Sequence, residues 1–285
     1  MNKTGVPYIV DYDDAIFHQY DLHPNPLIRK ILGNKIDFVM KNAALVTAGN
    51  GYLAKRARSA GAKNVEVIPT VVDLNHYNMK WKENNDIFTV GWIGAPSTVK
   101  YLDIVEPALD AFFMNKPHSS IQHNQLIQFH QTNQQIQHVK PVRLLIVGGG
   151  KIDLKGNPPV EVRPWTEETE VAYINEFDVG IMPLPDGPWE RGKCGYKLIQ
   201  YMACGVPVIA SPIGVNKHIV KDEVNGFLAS TTLEWVSALN KLYDYPHSGK
   251  KMGKQGRLEV ENNYSLQVIL PKLISLLKTV SGEKS

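Results

Sequence analysis

Short apolar runs alternate with longer amphipathic stretches along nearly the whole chain. Residues 7–10 form the first run and read as a buried strand ending at Asp11-Tyr12-Asp13-Asp14, followed by a helical pattern over about 27–41. Residues 44–47 and 65–68 read as strands, the second stopped by Pro69, and 52–59 as a helix with its basic residues outward. The order is β-α-β-α-β. Residues 73–86 are polar and unpatterned, as in a linker, and a second series opens at 87–90. Its later strand runs lie at 144–147, 160–162, 179–182 and 206–210, with helical segments between them. Strands alternating with helices predict an α/β chain of two parallel, doubly wound sheet domains. The expected division is 1–78, 79–264, and a terminal helix within 265–285 that crosses back toward the first domain. One stretch breaks the rhythm: 114–139 is dominated by Gln, His, Asn and Ser. Its imidazoles are irregularly spaced, with no carboxylate or Cys among them, so a solvated loop or an extended surface helix is expected rather than a metal site.

Composition narrows the class. Hydrophobic residues at 43% and charged residues at 21% suit a globular chain, and no run approaches the about 20 apolar residues of a membrane-spanning helix. A formal charge of +3 argues against nucleic acid as partner, while the Lys and Arg residues toward the ends leave room for weak attraction to an anionic membrane face. Cys194 and Cys204 belong to no metal-spacing pattern and read as free thiols. The N-terminus shows no apolar core of signal-peptide length, so a cytoplasmic location is expected, with peripheral contact at the inner membrane face.

The densest chemical signal runs from Trp189 to Pro212, WERGKCGYKLIQYMACGVPVIASP. It reads loop, helix, turn, strand. Gly192 and Gly195 let backbone approach a ligand at a helix start, where free N–H groups and the helix dipole attract an anion such as a diphosphate. Lys193 and Lys197 add charge there, and Gly205 ends the helix. On a plainer reading the Gly and Pro residues only shape a helix-to-strand turn, with the lysines as solvated charges.

This segment resembles the donor-site motif of family 4 glycosyltransferases, E-x-F-G-x-x-x-x-E-A-M-A-x-G-x-P-V. Gly195, Met202, Ala203, Gly205, Pro207 and Val208 coincide with it, whereas its first Glu falls on Gly192 and its second on Gln200. The resemblance, strongest over 87–265, implies a GT-B fold of two Rossmann-like domains. It also implies a retaining enzyme that moves a sugar from a nucleotide-diphosphate sugar to a saccharide or glycolipid acceptor, in surface polysaccharide synthesis. In the family the second Glu holds the ribose, a role the Gln200 amide can also fill. The first Glu lies near the transferred sugar, and only Glu190, two residues out of register, offers a carboxylate beside Gly192.

Other turns match in order. Gly94 and Lys100 lie in the expected phosphate-facing loop, where Ala95 replaces a common Arg; Lys100 reads equally as a ligand contact or an ordinary exposed lysine. Val147-Gly148-Gly149-Gly150 resembles the second Gly-rich turn. Trp165 sits in the loop that meets the base, either stacked on it or packed beneath the loop, and Thr166 is a plausible helix cap. Asp13 and Asp14, at the carboxyl end of a parallel strand, are candidates for the catalytic cleft or alternatively for the cap of the next helix. The family needs no metal in the donor site, so neither a metal nor a cofactor is assigned.

In the family the N-terminal domain binds the acceptor, and here it reads as incomplete. PYIVDYDDA resembles its middle, so the first strands are expected to be absent, the chain reading as a fragment, a truncated product, or one part of a split gene whose other part, a separate polypeptide, supplies them. The rival expectation is a non-catalytic nucleotide-sugar-binding subunit or inactive fragment. An epimerase of the same architecture lacks a convincing acid/base set.

Overall fold

The computed structural model describes residues 6–79, 86–114, 116, 117, 140–150, 152, 154 and 158–282. The chain starts with β1 (Ile9–Tyr12), α1 (His18–Asp21), α2 (Pro26–Leu32), α3 (Lys35–Asn42), β2 (Leu45–Ala48), α4 (Gly51–Ser59) and β3 (Val65–Val67). The three strands pair in parallel in the order β1-β2-β3. The helical pattern expected over 27–41 is two helices, separated by Gly33 and Asn34, both weak helix formers. The first begins where Asn25 accepts the Leu27 N–H at 2.9 Å, with Pro26 in the opening turn.

The second series holds β4 (Phe88–Ile93), a 3-10 segment (Pro96–Ile104), α5 (Glu106–Met114), β5 (Val142–Val147), β6 (Val160–Arg163), α6 (Glu167–Ile174) and β7 (Val179–Met182). It continues with α7 (Pro188–Arg191), α8 (Tyr196–Ala203), β8 (Val208–Ala210), α9 (Asn216–Ile219) and β9 (Gly226–Leu228). It closes with α10 (Thr232–Asp244), α11 (Pro246–Asn263) and α12 (Leu266–Ser281). All pairings are parallel, in the order β6-β5-β4-β7-β8-β9. Counted from β4, that is the doubly wound 3-2-1-4-5-6 order, whose direction reverses between β4 and β7. Ligands of open α/β sheets sit outside the strand ends at such a reversal. Of the polar tract at 114–139, residues 115 and 118–139 lie outside the described residues, as do 80–85 of the expected linker.

Buried side chains cover both faces of the six-stranded sheet, and a third cluster lies against the small one. At the reversal point Gly91 and Gly180 pair across β4 and β7. Two rings occupy the space their side chains would need. A Cβ on Gly91 would sit 2.0 Å from Phe177, and one on Gly180 2.3 Å from Tyr201. Those rings meet edge to face at 5.8 Å, and the Tyr201 hydroxyl accepts the Ile93 N–H at 2.9 Å.

Helix α8 stops as its sequence requires. Gly205 turns left-handed at φ 72°, its N–H reaching the Met202 carbonyl and that of Val206 the Tyr201 carbonyl, both at 2.9 Å. Pro207 has no N–H, and β8 begins at Val208 rather than at 206.

The chain then returns toward the first sheet. Val72 and Ser265 form a parallel bridge, Gln267 donates to Asp73 at 2.8 Å, and Lys272 on α12 reaches Glu66 at 3.2 Å.

Candidate active site

A cleft of about 1130 Å³ opens where the carboxyl ends of the two sheets face each other. Its floor consists of strand ends laced together. The Gly94 N–H donates to the Val147 carbonyl at 3.0 Å and the Gly148 N–H to that of Arg163 at 2.9 Å. Gly148 has φ 82°, and a Cβ there would lie 2.8 Å from the Gly94 carbonyl, so the two turns stack because residue 148 is glycine; a Cβ on Gly94 would instead lie 2.6 Å from Lys197 Nζ.

One wall is the start of α8. Gly195 has φ 71°, and a Cβ on it would meet Ile219 at 2.4 Å. The first amides of α8 thereby border the cleft beside Lys193 and Lys197. Lys197 is partly buried; its Nζ lies 3.3 Å from Thr98 Oγ1 and 4.4 Å from the centre of the Trp92 ring. Among the described residues no carboxylate pairs with it. Burial, and then the charge of Lys193, push its ammonium pKa down to about 7. Lys193 itself sits 3.6 Å from Asp14.

From the opposite side come Asp13 and Asp14. Neither caps α1, whose N-cap position is Phe17. Burial first, and Asp13 nearby, raise the Asp14 pKa even though Lys193 draws it down. This side is tied to the donor-motif loop: Asn50 Nδ2 donates to the carbonyls of Gly192 at 2.8 Å and Lys193 at 3.1 Å, and Cys194 Sγ lies 2.9 Å from the Asp13 carbonyl.

The inner end of the cleft holds Trp165 and Gln200. Trp165 keeps half its surface exposed while its indole N–H donates to Glu170 at 2.6 Å. Gln200 is buried and donates from Nε2 to the Tyr77 hydroxyl at 2.9 Å. Thr166 accepts the Thr169 N–H at 3.3 Å and caps α6.

Three residues singled out in the sequence lie off the cleft lining. Lys100 is exposed, over the Tyr101 ring at 5.6 Å. Gly192 is buried against Ala15, where a Cβ would meet another at 2.4 Å. Glu190 accepts the Tyr101 hydroxyl at 2.6 Å. The site also gathers residues the sequence reading passed over: Thr98, Tyr101 and Glu170 in the lining, with Tyr77 behind Gln200. A signal for Glu170 existed, since it lies four residues before the buried Ile174 and hence on the inward face of α6.

Residues 119–245 match the sequence model of the family Glycosyl transferases group 1. That match spans 127 of the 285 residues, a little under half of the chain. No curated protein matches it in sequence. Among solved structures, sucrose-phosphate synthase from Thermosynechococcus elongatus is similar at 17% identity and TM-score 0.67, over 96% of this chain and 68% of that one. Anabaena HepE in complex with UDP-glucose is similar at 16% and 0.68, over 96% and 72%. S. aureus TarM in complex with fondaparinux, alpha-GlcNAc-glycerol and UDP is similar at 14% and 0.63, over 97% and 52%. At these identities the likeness is one of fold. The six-stranded unit and its smaller N-terminal neighbour have the GT-B architecture, two parallel-sheet units across a cleft. Among the described residues no helix is long and apolar enough to cross a membrane, and no group of three His, Cys, Asp or Glu forms a metal cluster.

Proposed function

We propose that this chain moves a sugar, with retention, from a nucleotide-diphosphate sugar to a saccharide or glycolipid acceptor in surface polysaccharide synthesis. Residues 79–264 would bind the donor and 1–78 would face the acceptor. The supporting observation is Lys197: a partly buried ammonium beside the Gly94 turn and the start of α8, with no carboxylate partner among the described residues. A diphosphate supplies the missing counter-charge. Lys197, Lys193 and the first amides of α8 would stabilise the departing diphosphate, and Asp13 and Asp14 would border the acceptor hydroxyl. Several of the similar structures hold UDP, which makes UDP-sugars the first donors to try.

A non-catalytic nucleotide-sugar-binding subunit is the second reading. It is favoured by Gly192, which has no room for the motif's first carboxylate, and by Glu190, which is engaged with Tyr101. Incubation with a panel of nucleotide sugars and saccharide or glycolipid acceptors separates the two. Acceptor-dependent release of nucleoside diphosphate supports transfer, binding without release under every condition supports the subunit, and absence of binding overturns both.

The acceptor side also suits an anionic bilayer. Leu22, Leu27, Ile31 and Phe38 are exposed by 53, 64, 75 and 58% on and beside α2 and α3. Residues 15–64 carry eight Lys and Arg against two Asp, and both Asp21 and Asp37 are held by Arg56, at 2.9 and 2.6 Å. Exposed apolar anchors within a cationic field are the pattern of an interfacial surface. Flotation with phosphatidylglycerol vesicles should carry the chain, and Leu27→Ser with Ile31→Ser should release it. Equal flotation with neutral phosphatidylcholine vesicles would refute the electrostatic part, and no flotation the whole.

A further inference from the structure

Beneath Trp165 four side chains share a small polar network. Tyr77, Glu170 and Gln200 are exposed by only 4, 7 and 3%, and Tyr196 closes the group from the cleft side. The Tyr77 hydroxyl bonds Glu170 Oε1, Trp165 Nε1 donates to Glu170 Oε2 at 2.6 Å, and Gln200 Nε2 lies 2.9 Å from the Tyr77 oxygen. The Tyr196 hydroxyl approaches the same oxygen at 3.5 Å. Arg257 holds the Tyr77 carbonyl at 2.7 Å, so the segment bearing Tyr77 is anchored through its backbone as well.

Proton counting fixes the direction of each bond. Burial first, and then the bond to Glu170, hold the Tyr77 phenol above its usual pKa, so it keeps its proton. A carboxylate only accepts, so that proton goes to Glu170. The Tyr77 oxygen is then an acceptor toward Gln200, and the amide must turn its NH2 to Tyr77. Its carbonyl oxygen is left as the end available to a ligand in the cleft.

We infer that Tyr77 and Glu170 are positioning residues that orient Gln200 to accept a hydrogen bond from a nucleotide ribose, the network having its carboxylate at 170 instead of at 200. The inference rests on the donor-site reading above. It explains why an amide occupies position 200. A second carboxylate there would compete with Glu170 for the single Tyr77 proton, and two like charges in so buried a place oppose each other. Glu170 and Gln200 therefore form an exchangeable pair, in which one residue is anionic and the other neutral.

Calorimetric titration of the full chain with UDP, ADP and GDP, and with their 2′-deoxy and 3′-deoxy forms, tests this. The wild-type chain should favour the ribonucleotide over one deoxy form by about three- to tenfold, the span of one hydrogen bond. Tyr77→Phe should bring that preference close to unity while diphosphate binding persists. Gln200→Glu alone should lose the preference, and Gln200→Glu with Glu170→Gln should regain it. The rescue separates orientation from mere structural damage, and it tests the idea even if Tyr77→Phe fails to fold. An unchanged preference in Tyr77→Phe, or a double variant no better than Gln200→Glu, overturns the inference and leaves the donor-site reading standing. Failure of the wild-type chain to bind any of the three nucleotides overturns both.

Discussion

Replacing Lys197 with methionine should weaken binding of a nucleoside diphosphate by about 1–3 kcal/mol, while leaving the melting temperature unchanged or raised. Methionine preserves most of the aliphatic stem over Trp92, so packing changes little. What disappears is a charge that the cleft desolvates and that no carboxylate neutralises among the described residues. Isothermal titration reads the affinity directly. Affinity equal to that of the unaltered chain would remove Lys197 from the diphosphate site.

The same ammonium predicts a pH signature. With its pKa down at about 7, Lys197 is largely neutral in the empty cleft at mildly alkaline pH. A diphosphate beside it raises that pKa again, so binding takes up a proton. Affinity should then fall between about pH 7.5 and pH 9, by up to about tenfold per pH unit, and Lys197→Met should flatten the slope.

Gly180→Ala should destabilise the fold by about 1–3 kcal/mol in urea unfolding. The new methyl would overlap the Tyr201 ring, which is fully buried and fixed by its hydrogen bond from Ile93. The ring therefore has little freedom to retreat. Combined with Tyr201→Leu, the same alanine should cost less than it does alone, with a coupling of about 0.5–3 kcal/mol in the double-mutant cycle. Strict additivity of the two changes would show that the ring and the glycine do not constrain each other.

Every strand but β9 was legible as a short apolar or alternating run between turn residues, whereas Gly226–Leu228 is only three residues long and reads as a turn beside Asn225; the doubly wound class followed from the alternation with helices. The donor-motif turns were legible because Gly195 and Gly205 are demanded by positive φ within a local stretch of chain. The helix over 27–41 was overread. Its periodicity continues across Gly33 and Asn34, where the backbone breaks into two helices. Tyr77 escaped notice because it lies in a polar stretch that looked like linker, while its partner Glu170 is 93 residues away. Gln200 was recognised by position, but the direction of its amide depends on that distant pair. Glu190, two residues from a motif position, looked available in sequence, and only the fold reveals its bond to Tyr101.

Asn50 performs two tasks with one amide: Oδ1 accepts the Leu53 N–H at 3.0 Å to cap α4, and Nδ2 holds the Gly192 and Lys193 carbonyls of the other half. An Asn50→Asp substitution would preserve the cap, since a carboxylate also accepts. At the other end it would replace two hydrogen-bond donors with an oxygen facing two carbonyl oxygens. That one substitution would thus keep the cap of α4 while turning this one contact between the halves from attraction into repulsion.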